Sequence, residues 1–191
     1  ETPPKVCLNG QFFSKYFMDY LQMVYTAINK DSTAKPLISY MHFNTGHEYT
    51  GKRIRNTDTN LAEFITNMAA LPDTLTMIFS DHGNKNTYYS QHSEEGRREV
   101  FDPVFFMVIP GGVEKILGKE RMTALVKNQR RLFTFLDVHR ALMSLKDPVK
   151  MFSRNTSGIF AVLPENRTCA NLNLMPLTFC KRSEERRVGK G

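Results

Sequence analysis

Three short apolar runs, interleaved with stretches of helical periodicity, constrain the fold of this chain more than any other feature. The runs are Leu37-Ile38-Ser39-Tyr40-Met41-His42-Phe43, Thr74-Leu75-Thr76-Met77-Ile78-Phe79 and Val104-Phe105-Phe106-Met107-Val108-Ile109. Each reads as a short buried strand, with Pro36 before the first and Pro110-Gly111-Gly112 after the last. Phe13, Tyr16, Phe17, Tyr20, Leu21, Val24 and Ile28 are spaced for one face of a helix over 12–28. Leu61, Phe64, Ile65, Met68 and Ala69 predict a second helix, with Asp58 in its first turn and Pro72-Asp73 at its end. Leu132, Phe135, Leu136, His139 and Met143 mark a third helix. Residues 44–56 and 84–98 read as polar loops. This order predicts an α/β fold with a largely parallel sheet.

The second run ends in Ser80-Asp81-His82-Gly83. Ligands of open α/β sheets gather at the carboxyl ends of strands, and carboxylate and imidazole both ligate divalent metals. Neighbouring side chains on a strand point to opposite faces. We therefore expect the chain to turn here, with Gly83 relaxing the backbone so that Asp81 and His82 face one ion. Alone, the tripeptide reads more readily as a turn with an incidental histidine than as a metal site. His92 and the Glu94-Glu95 pair read as loop surface, and His42 and His139 as structural residues.

The net charge of +7 raises the possibility of a polyanion partner. Residues 182–191 hold four basic and two acidic residues, so +2 of that charge sits in a tail without apolar anchors. We read the tail as disordered or foreign and place it outside the domain, which then spans 1–181. The remaining basic residues are scattered. The one dense cluster, Lys52-Arg53-Ile54-Arg55, reads as a solvated loop, so no nucleic-acid partner is expected.

Cys7, Cys169 and Cys180 are the three cysteines. Sequons at Asn155 and Asn166 lie just before Cys169, so glycosylation is available in the secretory route. This combination favours a Cys169–Cys180 disulfide and an oxidising compartment over buried free thiols. Such a bridge closes a loop of about ten residues, for about 3 kcal/mol in the chain-entropy account. No apolar run approaches the roughly 20 residues of a membrane span. The chain opens on Glu1, from which we expect natural sequence upstream, where a partner for Cys7 and any membrane anchor would lie.

The segment Thr74–Gly83 resembles the strand and Asp-His-Gly motif of the alkaline phosphatase superfamily. Upstream, His47 and then Asp58–Ile65 resemble its histidine loop and the helix after it. Downstream, Pro103–Pro110 and Phe135-Leu136-Asp137-Val138 resemble its following strand and helix. Cys7-Leu8-Asn9-Gly10 and Pro164-Glu165-Asn166-Arg167-Thr168-Cys169, with Met175-Pro176 and Cys180, are most similar to the DUF229 family of sulfatase-like animal proteins.

The resemblance implies an alkaline phosphatase-like, largely parallel α/β sheet flanked by helices, of which this chain is the C-terminal part. It implies a divalent metal (zinc, calcium or manganese) on Asp81 and His82. It places His47 against the anionic group of a phosphoric or sulfuric ester, and Lys85 near the same anion. The segment that carries the attacking Thr, Ser or modified Cys in this superfamily has no match here, so the chain reads as a hydrolase fragment inactive alone. The rival reading is a non-catalytic extracellular binding module that keeps the fold. His47 is expected beside the metal pair if runs 37–43 and 74–79 are parallel neighbours with their carboxyl ends at one edge.

Overall fold

The computed structural model describes residues 7–146, 157–168 and 170–172. The chain divides into two compact units, Glu1–Val113 and Glu114–Gly191, which are taken in turn.

The first unit opens with a small antiparallel pair, β1 (Cys7–Leu8) and β2 (Gln11–Phe12), joined through Asn9 and Gly10 in the left-handed region. Helix α1 (Phe13–Lys30) follows directly. Its buried face shares Leu21 with the stripe that the spacing predicts but is rotated away from Phe17 and Tyr20. Ser14 and Met18 are buried and Leu21 and Tyr25 pack with them, while Phe17 is 40% and Tyr20 58% exposed. Two apolar stripes compete on this helix, and the one that meets α2 is covered. Helix α2 (Lys52–Ala69) presents Leu61, Phe64 and Met68 to α1. Burying Met18, Phe64 and Met68 contributes about 1.5–3 kcal/mol each. Asn67 donates to Gln22 at 3.0 Å across the same contact.

Helix α2 begins at Lys52, so the basic cluster forms its first turn and Asp58 lies inside it. Glu48 explains the early start. Its carboxylate accepts from the backbone N–H of Thr50 (2.7 Å), before the helix, and of Arg53 (3.2 Å), one of the otherwise unpaired N–H groups of the first turn.

Residues 37–43 form no strand, and Ile38 is 95% exposed. An apolar run becomes a strand where a neighbouring strand takes up its backbone polar groups, and among the described residues no strand pairs with this one, although the Tyr25 hydroxyl donates to the Leu37 carbonyl at 3.2 Å. The other two runs are strands, β3 (Thr76–Phe79) and β4 (Phe105–Val108), paired antiparallel with Thr76 opposite Val108 and Phe79 opposite Phe105. Both sheets among the described residues are antiparallel pairs, so the parallel neighbour expected for β3 is not among them. The polar segment between them is partly helical, as α3 (Tyr88–His92) and α4 (Glu94–Glu99), each capped by a side chain, Thr87 and Ser93.

Helix α5 (Gly111–Asn128) breaks at Gly118, whose φ of 78° suits glycine alone. Its periodicity does not announce it, because apolar residues lie on both sides. Leu117 and Ala124 are buried, whereas Ile116 is 74% exposed. In the second unit α6 (Phe135–Leu145) carries a capping box between Thr134 and Asp137. Val138 and Ala141 of α6 are buried, as are Ile159, Phe160 and Leu163 of the following strap. Asn128 holds that strap by donating to the carbonyls of Ile159 and Ala161 and accepting from the Leu163 N–H. His139, read as structural, is exposed on α6.

Candidate metal and anion site

The motif Ser80-Asp81-His82-Gly83 leaves the end of β3 as a turn. Ser80 extends the strand pairing, donating its N–H to the Val104 carbonyl and accepting the Val104 N–H on its hydroxyl, both at 3.0 Å. The next residues are therefore launched from a fixed point. Gly83 is held on the other side, its N–H donating to the Val100 carbonyl at 2.9 Å. A Cβ on Gly83 would run into the Glu99 carbonyl and the Val100 backbone. The glycine is thus needed for close approach to the end of α4, rather than for a positive φ.

Asp81 and His82 face each other. The His82 Nε2 lies 3.6 Å from an Asp81 carboxylate oxygen, and the Asp81 side chain is 69% exposed. The other ring nitrogen of His82, Nδ1, lies 2.7 Å from the Gly83 carbonyl. A carbonyl only accepts, so Nδ1 carries a proton whatever the charge of the ring, and the neutral form has its lone pair on Nε2. A metal-bound imidazole commonly has its second nitrogen fixed in this way. Two donors about 2.1 Å from one ion at a tetrahedral angle lie about 3.4 Å apart, close to the observed gap. Desolvation pushes the Asp81 carboxyl up, but the His82 imidazole, backbone N–H groups and the His42 imidazole outweigh it and hold the group below its usual range.

The His47 ring meets the His82 ring edge-on, with centroids 5.5 Å apart. His47 is exposed, and its own N–H bonds only locally, to the Asn44 carbonyl. The loop that carries it is held by Glu48 and Asn84. Glu48 is 8% exposed, and its carbonyl accepts from the Asn84 side-chain amide at 2.9 Å. Its carboxylate lies below the usual range chiefly through the Thr50 hydroxyl, which it accepts at 2.6 Å. Sequence reasoning missed both residues. Their signal is local: Glu48-x-Thr50 before a helix, and Asn84-x-Asn86, where the Asn84 side-chain oxygen accepts the Asn86 N–H at 2.8 Å.

The remaining candidates are dispersed. Lys85 is exposed just past Gly83. His92 is a surface residue stacked on Tyr88, with ring centroids 4.0 Å apart. His42, read as structural, is exposed, and its Nε2 lies 2.9 Å from the Asn44 side-chain oxygen. Glu94 pairs with Arg98 at 2.6 Å in the manner of a solvated helix surface. Asn166 is exposed at a turn, and Cys7 is an exposed free thiol. Asn155, Cys169 and Cys180 lie outside the described residues.

A divalent ion fits this donor set in part. One anionic and one neutral donor are present at a workable spacing, but catalytic zinc takes three protein ligands. Among the described residues no group of three or more His, Cys, Asp or Glu side chains is placed to hold an ion.

The chain matches the family described as "Protein of unknown function (DUF229)" over residues 1–189. The match runs into the tail that the sequence reading set outside the domain. No curated protein and no solved structure matches the chain.

Proposed function

The chain belongs to the DUF229 family, and from that premise we propose that it contributes the Asp-His half of a metal site in a hydrolase of phosphoric or sulfuric esters. The observation that carries the reading is the pairing of Asp81 with the free Nε2 of His82 at 3.6 Å, with the tautomer set by Gly83. Asp81 and His82 would hold the ion, which supplies positive charge to the transferring group. A further donor is required, and the superfamily resemblance puts it, with the attacking residue, in the N-terminal part of the domain.

The residues of this chain then have separate tasks. Asp81 brings negative charge to the ion and His82 a neutral nitrogen. His47 donates a ring N–H to an anionic oxygen of the ester, which stabilises charge as it develops there. Lys85, exposed and flexible, adds a cation at the mouth of the site. The same reading takes β3 and β4 as part of a larger, largely parallel α/β sheet, since a two-stranded pair alone is marginal in water. It also takes the protein as a secreted or lumenal glycoprotein with a Cys169–Cys180 disulfide. Exposure of Asn166 leaves that sequon open to a glycosyl transferase.

The test is metal analysis and ester hydrolysis in the natural full-length protein. Zinc, calcium and manganese are titrated into wild type, Asp81→Ala and His82→Ala, and 4-nitrophenyl phosphate and sulfate are offered as substrates. We expect one ion whose binding is lost in both variants, with turnover of one ester. Equal metal binding in all three proteins would sink the site. Metal and anion binding without turnover of either ester would favour the extracellular binding module.

A further inference from the structure

We propose that Glu48 and Asn84 act as a latch that positions the His47 imidazole against His82, and so are positioning residues for the anion-binding half of the site. The proposal rests on the metal and anion reading above for its consequence, though not for its geometry.

The need for a latch follows from how little else holds His47. The residue is exposed, its N–H reaches only Asn44, and its ring touches the motif edge-on. Nor does a sheet place it, because residues 37–43 form no strand. The main chain that carries its ring is therefore held by the next residue along. Glu48 is anchored at both ends. Its carboxylate accepts from the Thr50 N–H, the Thr50 hydroxyl and the Arg53 N–H, which fixes it to the first turn of α2. Its carbonyl accepts from Asn84, one residue past the motif.

Asn84 is equally committed. Its amide nitrogen serves Glu48 and its oxygen accepts the Asn86 N–H, so both faces of the amide are used and the side chain has one useful rotamer. Helix capping explains the carboxylate of Glu48 but not the Asn84 bond. That bond goes to the backbone carbonyl beside His47 and contributes nothing to α2. Its effect is to tie the histidine loop to the Asp81–His82 turn.

The experiment separates the latch from the function. In metal-free protein, nuclear Overhauser contacts are measured between the His47 and His82 ring protons, together with exchange of the Asn84 side-chain amide protons. Wild type should show the ring contact and slow amide exchange. Asn84→Asp keeps the acceptor for Asn86 but loses the donor to Glu48, and the ring contact should disappear. Asn84→Ala should behave likewise, and Glu48→Gln, which keeps the side-chain size, should weaken the contact.

In zinc-loaded full-length protein, Asn84→Ala should bind inorganic phosphate about tenfold more weakly. Its zinc content should stay within about twofold of wild type. A ring contact that survives in folded Asn84→Asp and Asn84→Ala overturns the latch, as does fast amide exchange in wild type. If wild type binds neither zinc nor phosphate, the metal reading fails while the ring contacts still decide the latch.

Discussion

The carboxylate of Asp137 accepts two hydrogen bonds from the guanidinium of Arg167, at 2.7 and 3.1 Å. Asp137 is 1% exposed and caps the first turn of α6, while Arg167 belongs to the Pro164–Cys169 segment. Two stretches singled out for their resemblance to known families thus meet in one buried ion pair within the second unit. Replacing Asp137 with Asn keeps the shape and removes the negative charge that faces Arg167 at 2.7 Å and Arg140 at 3.7 Å. Breaking a buried pair by neutralising one member costs about 3–5 kcal/mol. Urea denaturation of Asp137→Asn should show a loss of that order, and a loss within error of zero would mean that the pair is solvated.

The same carboxylate predicts an acid limit. Desolvation pushes Asp137 up, but Arg167 and Thr134 outweigh it, and the net position is below the usual value. A carboxyl lower in the folded than in the unfolded chain contributes stability above its unfolded value of about 3.9, and that stability is lost as pH falls through the folded value. Wild type should therefore lose stability more steeply than Asp137→Asn as pH drops below about 4. Parallel profiles of the two proteins would count against the assignment.

The ring of His82 should be a single neutral tautomer. With Nδ1 against the Gly83 carbonyl, nitrogen NMR of the metal-free protein, at a pH where the ring is neutral, should find the proton on Nδ1. Added zinc should then shift Nε2. A proton on Nε2 would remove His82 as a ligand through that atom.

Gly83→Ala should damage the fold and the site together. The new methyl meets the Glu99 carbonyl and the Val100 backbone, and forced repacking of this kind costs about 1–3 kcal/mol. The motif turn should move away from α4, so metal affinity should fall along with the denaturation midpoint. Unchanged values for both would show that the close approach is not maintained in solution.

His47→Ala in the full-length protein should lower turnover about a hundredfold, the scale of a positioned proton donor, with metal content unchanged. A variant with undiminished turnover would take His47 out of the mechanism. One that loses the metal instead would make it a ligand.

Much of this protein is legible along the sequence because it depends on neighbours close in the chain. The periodicity that predicts α1, α2 and α6, and the apolar runs that become β3 and β4, are patterns within one segment. The turn at Ser80–Gly83 is legible too, since a strand must end somewhere and a glycine allows a close approach. Contacts between distant segments settled the rest. Burial against α2 selected Met18 over Phe17 and Tyr20, because two stripes on one helix cannot both meet the same partner. Residues 37–43 carry the composition of a strand without a strand's hydrogen-bonding neighbour. His47 comes to His82 through a hydrogen bond between Asn84 and Glu48, 36 residues apart, rather than through the parallel strands the sequence suggests. Such a bond leaves no period in the sequence, since it depends on where two loops fall once the helices and the β3–β4 pair have packed.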